Sequence, residues 1–408
     1  MESSNSETKI KLPKGFLIGA ASAAHQVEGN NINSDWWHAE QQGLVPKSGE
    51  AADHYNRYEE DFKIAHDIGL NAMRMSIEWA RIEPVEGRWD ATAIEHYKKV
   101  LKAMKEQGLV RMVTLWHWTL PQWLAEKGGF ETKEGVEAFV RFTWFVAQNL
   151  GTEIDLWVTL NEPETYCQQA YSTGKYPPFK KSKLLYWRVL ENLIQAHNQG
   201  FNSIKSAFPE AKIGLAKNSS YYAPYRKNNL MDRIISYFAN QIGNHYFLEK
   251  IRKHLDFIGI NYYFYNSVKF NWKHVYQEMN LNFTGGQMTL ADSESRSDLG
   301  WLLYPEGIYH LILDLKKYKL PIYVTENGLA DLIDSRRPKF LRETLGWLAK
   351  AIEQGAPLRG YFHWALTDNY EWTNGFGPRF GLVEIDYSTQ KRIVRKSAEI
   401  FKQITYDK

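Results

Sequence analysis

Two glutamates stand where a carboxyl group is free to do chemistry. Glu162 follows an apolar run from Leu156 to Leu160, and Glu326 follows one from Ile322 to Val324. If the two faced each other across one cleft, a protonated carboxyl could help a leaving group depart. The other, ionised, could then attack an anomeric carbon. Arg74 and Tyr263 are candidates to keep one of them charged, by an ion pair and a hydrogen bond. Other polar or aromatic residues close apolar runs in the same way: His117-Trp118, Asn161, Asn261-Tyr262-Tyr263 and His363-Trp364, with Glu78 just beyond another run. One such residue is readily a loop cap, whereas six runs ending alike point to a shared site. The two glutamates taken alone are equally a structural pair, so the elements that carry them must decide.

Those elements alternate. Short, near-continuous apolar runs at 16–20, 72–77, 110–117, 155–160, 211–216, 256–261, 321–326 and 359–364 read as strands covered on both faces, as in a parallel sheet. Amphipathic stretches near 53–68, 92–107, 132–150, 183–208, 229–250, 305–319, 335–354 and 393–404 read as helices. In 92–107, Ile94, Tyr97, Val100, Leu101 and Met104 share one face. Eight strands alternating with eight helices, without a linker or composition break, predict one α/β unit over 1–408: a (β/α)8 TIM barrel with extended βα loops. A doubly wound open sheet is the second choice. The connections 27–52, 163–182, 262–304 and 365–392 are too long for simple turns, and all follow strands, where a barrel builds its functional face.

Composition removes several alternatives. Fifty basic against 47 acidic residues leave a net charge of +3, too balanced to imply a nucleic-acid partner. No run approaches 18 apolar residues, and Met1 to Lys14 carry no apolar core of a signal peptide, so no membrane partner and a cytoplasmic location are expected. The single cysteine, Cys167, reads as a small buried residue and fits a reducing compartment. It excludes thiolate zinc sites, and the 12 histidines form no HExxH pattern, so neither metal nor cofactor is expected. Gly375, Gly377 and Gly381 lack dinucleotide-binding spacing, and no phosphate loop is present. Gln26, His54 and His117 in isolation read as hydrogen-bonded structural residues. Asn218-Ser219-Ser220 and Asn282-Phe283-Thr284 match the glycosylation acceptor pattern, without a secretion signal to give it meaning.

The motifs resemble those of glycoside hydrolase family 1, the β-glucosidase and β-galactosidase family. Thr159-Leu160-Asn161-Glu162-Pro163 matches its acid/base motif, and Val324-Thr325-Glu326-Asn327-Gly328 its nucleophile motif. Gln26-Val27-Glu28-Gly29, the 256–263 run and Asp368-Asn369-Tyr370-Glu371-Trp372 extend the likeness over nearly the whole chain. The resemblance implies a retaining β-glycosidase acting on a small-molecule β-glycoside or oligosaccharide, with Glu162 as acid/base and Glu326 as nucleophile. It further implies that Gln26, His117, Trp118, Asn161, Glu371 and Trp372 bind glycone hydroxyls and that Trp364 forms a stacking floor. Arg74, Asn261 and Tyr263 would support the nucleophile.

Glutamate rather than glutamine at 162 points to ordinary O-glycosides, and Glu371 points away from 6-phospho-sugars, whose charge it would repel. Thr119 and His25 depart from the family pattern, and the chain is short around 180–230. A transglycosylase would share both carboxylates, and a non-catalytic carbohydrate-binding barrel would have lost one.

Overall fold

The computed structural model describes residues 10–273, 277–280 and 295–406; the Asn282 acceptor pattern and part of the 262–304 connection lie outside them. Eight parallel strands form the barrel: β1 (Leu17–Ala21), β2 (Ala72–Ser76), β3 (Val110–Trp116), β4 (Leu156–Asn161), β5 (Lys212–Pro224), β6 (Phe257–Lys269), β7 (Ile322–Asn327) and β8 (Leu358–Trp364). Neighbours in sequence are neighbours in the sheet, β8 pairs with β1, and pairing of β5 with β6 completes the ring. The open-sheet alternative is thereby excluded.

Alternation along each strand divides the core in two. Met112, Leu156, Val158, Phe257 and Phe362 belong to one cluster inside the barrel, whereas Val113, Trp157, Ile258 and Ile260 face the helices. The rings of Phe257 and Phe362 fit because glycines stand beside them: a Cβ on Gly214 would collide with Phe257, and one on Gly19 with Phe362. Layers of side chains therefore fill the barrel instead of a pore.

Among the described residues, seven helices of ten or more residues connect the strands: α1 (His54–Asp67), α2 (Ala91–Glu106), α3 (Lys133–Leu150), α4 (Lys183–Ala207), α5 (Leu230–Asn240), α6 (Glu306–Leu315) and α7 (Arg337–Glu353). Helix α2 shows how local sequence sets each one. The Asp90 carboxylate accepts the backbone N–H groups of Thr92 and Ala93, the predicted apolar face is buried, and the chain leaves through Gly108 at φ +70°.

Three expectations need correction. The stretch 229–250 is α5, a wider turn at Gln241–His245 and a short helix Tyr246–Ile251; the wide turn forms where Gly243 packs on Tyr222 and gives its carbonyl to Lys217. The helix expected at 393–404 is a strand, Lys391–Val394, followed by 3-10 turns at Lys396–Gln403. There the β-branched Ile393 and Val394 pair antiparallel with Val383–Asp386, and Arg395 anchors the turn on Asp368. Strands β5 and β6 also run far beyond their expected ends and pair as a ribbon up to Pro224 and Val268. Among the described residues no helix is long and apolar enough to cross a membrane.

Candidate active site

The carboxyl ends of the strands converge on a cavity of about 850 Å³. His117, Trp118, Asn161, Glu162, Tyr263, Glu326, Trp364 and Glu371 form its inner wall. Arg74 and Asn261 lie just beneath, both buried.

Glu162 sits at the turn from β4 into the short helix Pro163–Cys167, in a left-handed conformation (φ 43°). Its own N–H bonds the Ala216 carbonyl on β5 at 2.8 Å, which fixes that costly backbone geometry. One carboxyl oxygen accepts from Asn261 Nδ2 at 2.8 Å, the other from Asn218 Nδ2 at 3.4 Å. Both donors are neutral. Burial, and then the charge of Glu326, push its pKa up to about 7.

Glu326 has different partners. One oxygen is paired with the Arg74 guanidinium, and the other accepts from the Tyr263 hydroxyl at 2.9 Å. Burial raises its pKa too, while Arg74 and the hydrogen bonds from Arg74 and Tyr263 draw it back. Of the two carboxyls, Glu326 therefore has the environment that favours charge. Arg74 is itself held by Thr114, by the Thr325 carbonyl and by Asn161 Oδ1 at 2.6 Å.

Asn261 was expected to support Glu326, and a side-chain hydrogen bond from it does help to draw the Glu326 pKa down. Its amide N–H groups also reach Glu162 and Asn161, while its carbonyl accepts from Thr325. Strand β6 places the side chain between the two acids, and the nearer acceptors lie on β4.

The residues expected to hold sugar hydroxyls divide. His117 faces the cavity, and burial beside Arg74 holds its pKa far below the usual imidazole range, so the ring is neutral. Asn161 Nδ2 donates to Nε2, which leaves the proton on Nδ1, and that nitrogen has no partner. Gln26 donates to the Tyr370 carbonyl and to Glu371, while its buried Oε1 is likewise unpartnered. Unsatisfied buried polar atoms of this kind are costly unless a ligand completes them. Glu371 carries a third raised pKa, about 8, from burial first and then the charge of Glu326.

Trp118 and Trp372 share one aromatic cluster at this wall. The Trp118 indole N–H is spent on the Asn161 carbonyl at 3.0 Å, so only its ring can meet a ligand. Trp372 packs against Trp36 and Trp118 at centroid distances of 4.5 and 5.0 Å.

Sequence reasoning missed the outer wall. Tyr176, Tyr186, Asn218, Asn244 and Trp301 line it; Tyr176 and Trp301 come from long connections, Asn218 from the β5 extension, Tyr186 from α4 and Asn244 from the wide turn after α5. Asn218, noted only for its acceptor pattern, touches Glu162. Its position two residues beyond the Ala216 end of an expected strand was the one available signal. Among the described residues no group of three or more His, Cys, Asp or Glu side chains could hold a metal ion.

A barrel with two differently solvated carboxyls at its mouth defines a class of glycoside-processing enzymes. The sequence profile described as Glycosyl hydrolase family 1 matches residues 8–253 and 244–408. The chain belongs to this family and is a β-glycosidase. It is 33% identical to Beta-glucosidase A of Thermotoga maritima over 95% of this chain and 96% of that one. It is 30% identical to a Beta-galactosidase of Sulfolobus acidocaldarius, covering 97% and 95%. A solved beta-glycosidase from Pyrococcus horikoshii superimposes with a TM-score of 0.87 at 35% identity, covering 97% of this chain and 94% of that one.

Proposed function

We propose that the chain, as one catalytic unit in a reducing cytoplasm, hydrolyses non-phosphorylated β-glucosides, β-galactosides or β-fucosides by double displacement. The observation that carries this reading is the unequal solvation of the two carboxyls. Glu326, paired with a cation, stays ionised and attacks the anomeric carbon. Glu162, with only neutral hydrogen-bond donors and a pKa of about 7, keeps its proton and gives it to the departing oxygen. A glycosyl ester on Glu326 results.

Esterification removes the negative charge that held Glu162 protonated, so Glu162 ionises. It then takes a proton from water as the water oxygen bonds the anomeric carbon, and Glu326 leaves as a carboxylate. The free Asn161 amide hydrogen is available to a 2-hydroxyl, where a hydrogen bond strengthens as positive charge builds on the sugar. Gln26 Oε1 and His117 Nδ1 supply an acceptor and a donor that no protein group satisfies.

Incubation with a 2-deoxy-2-fluoro aryl β-glucoside should trap the intermediate. Peptide mass analysis is expected to find the sugar on Glu326. Modification elsewhere, or none despite slow turnover, would overturn the assignment.

A further inference from the structure

Helix α5 has its polar side inward and its apolar side out. Asp232 and Ser236 are buried against the barrel: Asp232 accepts from Arg226 and from the Phe270 N–H, and Asn240, on the same side, bonds Asp314. Outward point Leu230 (67% exposed), Ile234, Tyr237 (60%) and Phe238 (55%), and Ile242 (65%) continues the stripe in the next turn. Their spacing puts them along one side of the helix. A helix that serves only its own core shows the reverse arrangement.

This stripe adjoins the cavity mouth. Gly243 and Asn244, directly after it, line the outer wall, as does Tyr186 on α4. Next to Tyr186 stands Trp187, half-exposed and edge-on to Tyr246 at 5.9 Å, with exposed Leu184 one turn away.

The charges on this face are mainly basic. Segments 180–188 and 225–242 hold seven basic residues and one acid, Asp232, which is buried and paired with Arg226. Lys180 is paired with Glu131, and Glu191 accepts from the Tyr246 hydroxyl beside Trp187, which leaves Lys181, Lys183, Arg188, Lys227 and Arg233 as the surplus. The whole chain is only +3. Apolar side chains flanked by Trp, Tyr, Lys and Arg match the boundary of an anionic bilayer: acyl chains take the first, the headgroup zone the rings, and phosphates the cations. A second copy packed on this face about a two-fold axis would set like charge against like.

We propose that this face docks the barrel on an anionic lipid surface and turns the cavity mouth toward lipid-linked β-glycosides. The docking needs no spanning helix, and so was invisible to the sequence reading that expected no membrane partner. The substrate half rests on the β-glycosidase reading: the bond from anomeric carbon to lipid alcohol oxygen breaks, Glu162 protonates that oxygen, and water supplies the sugar hydroxyl. The docking half does not depend on it.

The test is co-sedimentation of the full chain with vesicles of phosphatidylcholine, with and without phosphatidylglycerol, alongside turnover of a soluble aryl β-glucoside. Binding is expected only with the anionic lipid and should weaken as salt rises. Ile234→Glu/Phe238→Glu, and separately the surface charge variant Lys227→Glu/Arg233→Glu, should each bind roughly tenfold more weakly while turning over the soluble substrate unchanged. No binding to anionic vesicles, binding unaltered in both variants, or a solution dimer that the variants dissociate would overturn the docking. Absence of aryl glucoside turnover in the unmodified protein, with vesicle binding intact, would instead sink the glycosidase reading alone.

Discussion

Glu162 and Glu326 share one side chain and are buried to the same degree, so their division of labour must come from what surrounds each. Replacing Glu326 by Ala should nearly abolish hydrolysis while leaving the fold intact, and added azide or formate should restore turnover of activated substrates. Substantial activity without such rescue would remove Glu326 from its role. Glu162→Gln should lose far more activity on poor leaving groups than on activated aryl glycosides, because a leaving group of low pKa needs little protonation. The fall in kcat/KM above about pH 7 should report Glu162, whose pKa stands there, and should flatten in this variant. Equal losses across leaving groups with the basic limb retained would argue against proton donation by Glu162. Glu371 shows what such a site costs the fold. Its pKa is about 8 in the folded chain against 4.5 in the unfolded one, so folding favours its protonated form. The associated stability is present in full below pH 4.5 and is lost as pH rises toward 8. Glu371→Gln should thus gain roughly 1–3 kcal/mol relative to the unmodified chain between pH 5 and pH 9, measured by urea unfolding at both pH values. A pH-independent difference would mean that Glu371 is not held protonated.

At the scale of the elements, the strands were legible because a barrel strand is apolar on both faces, and its run simply stops where solvent begins. Glu162, Glu326, His117 and Trp364 were found at those stopping points. Helix limits were equally open where a cap or glycine marks them, as at Asp90 and Gly108 around α2. Asp90→Ala should lower stability by about 1 kcal/mol in urea unfolding, since two helix N–H groups lose their acceptor. Gly214→Ala should cost more, roughly 1–3 kcal/mol, because the new methyl group meets the Phe257 ring inside the packed barrel. The segments at 241–245 and 396–403 were misjudged for a shared reason. Each is set by a distant partner, Tyr222 and Lys217 in one case and Asp368 in the other, and periodicity carries no trace of that contact.

For the molecule as a whole, the barrel brings together β4 and β7 acids that are 164 positions apart in the chain. Their separation should be about 5–5.5 Å, as a retaining mechanism requires, and proton NMR of the first-formed sugar should show the β-anomer. An α-anomer appearing first would recast Glu326 as a base for water.

By itself the sequence determined the alternation of strands and helices, the two carboxyls and most residues around them, because hydrophobic period and strand ends are local properties. It also held the motifs that tie the chain to its family. Only the tertiary structure decided the partners. It set Asn261 between Glu162 and Glu326, closed off the Trp118 indole N–H and brought Asn218 forward. It likewise decided which side of α5 faces water: the pattern at 229–250 reads as a helix with one apolar side and leaves its orientation open. A helical pattern fixes which residues lie together, and only packing fixes which way they point.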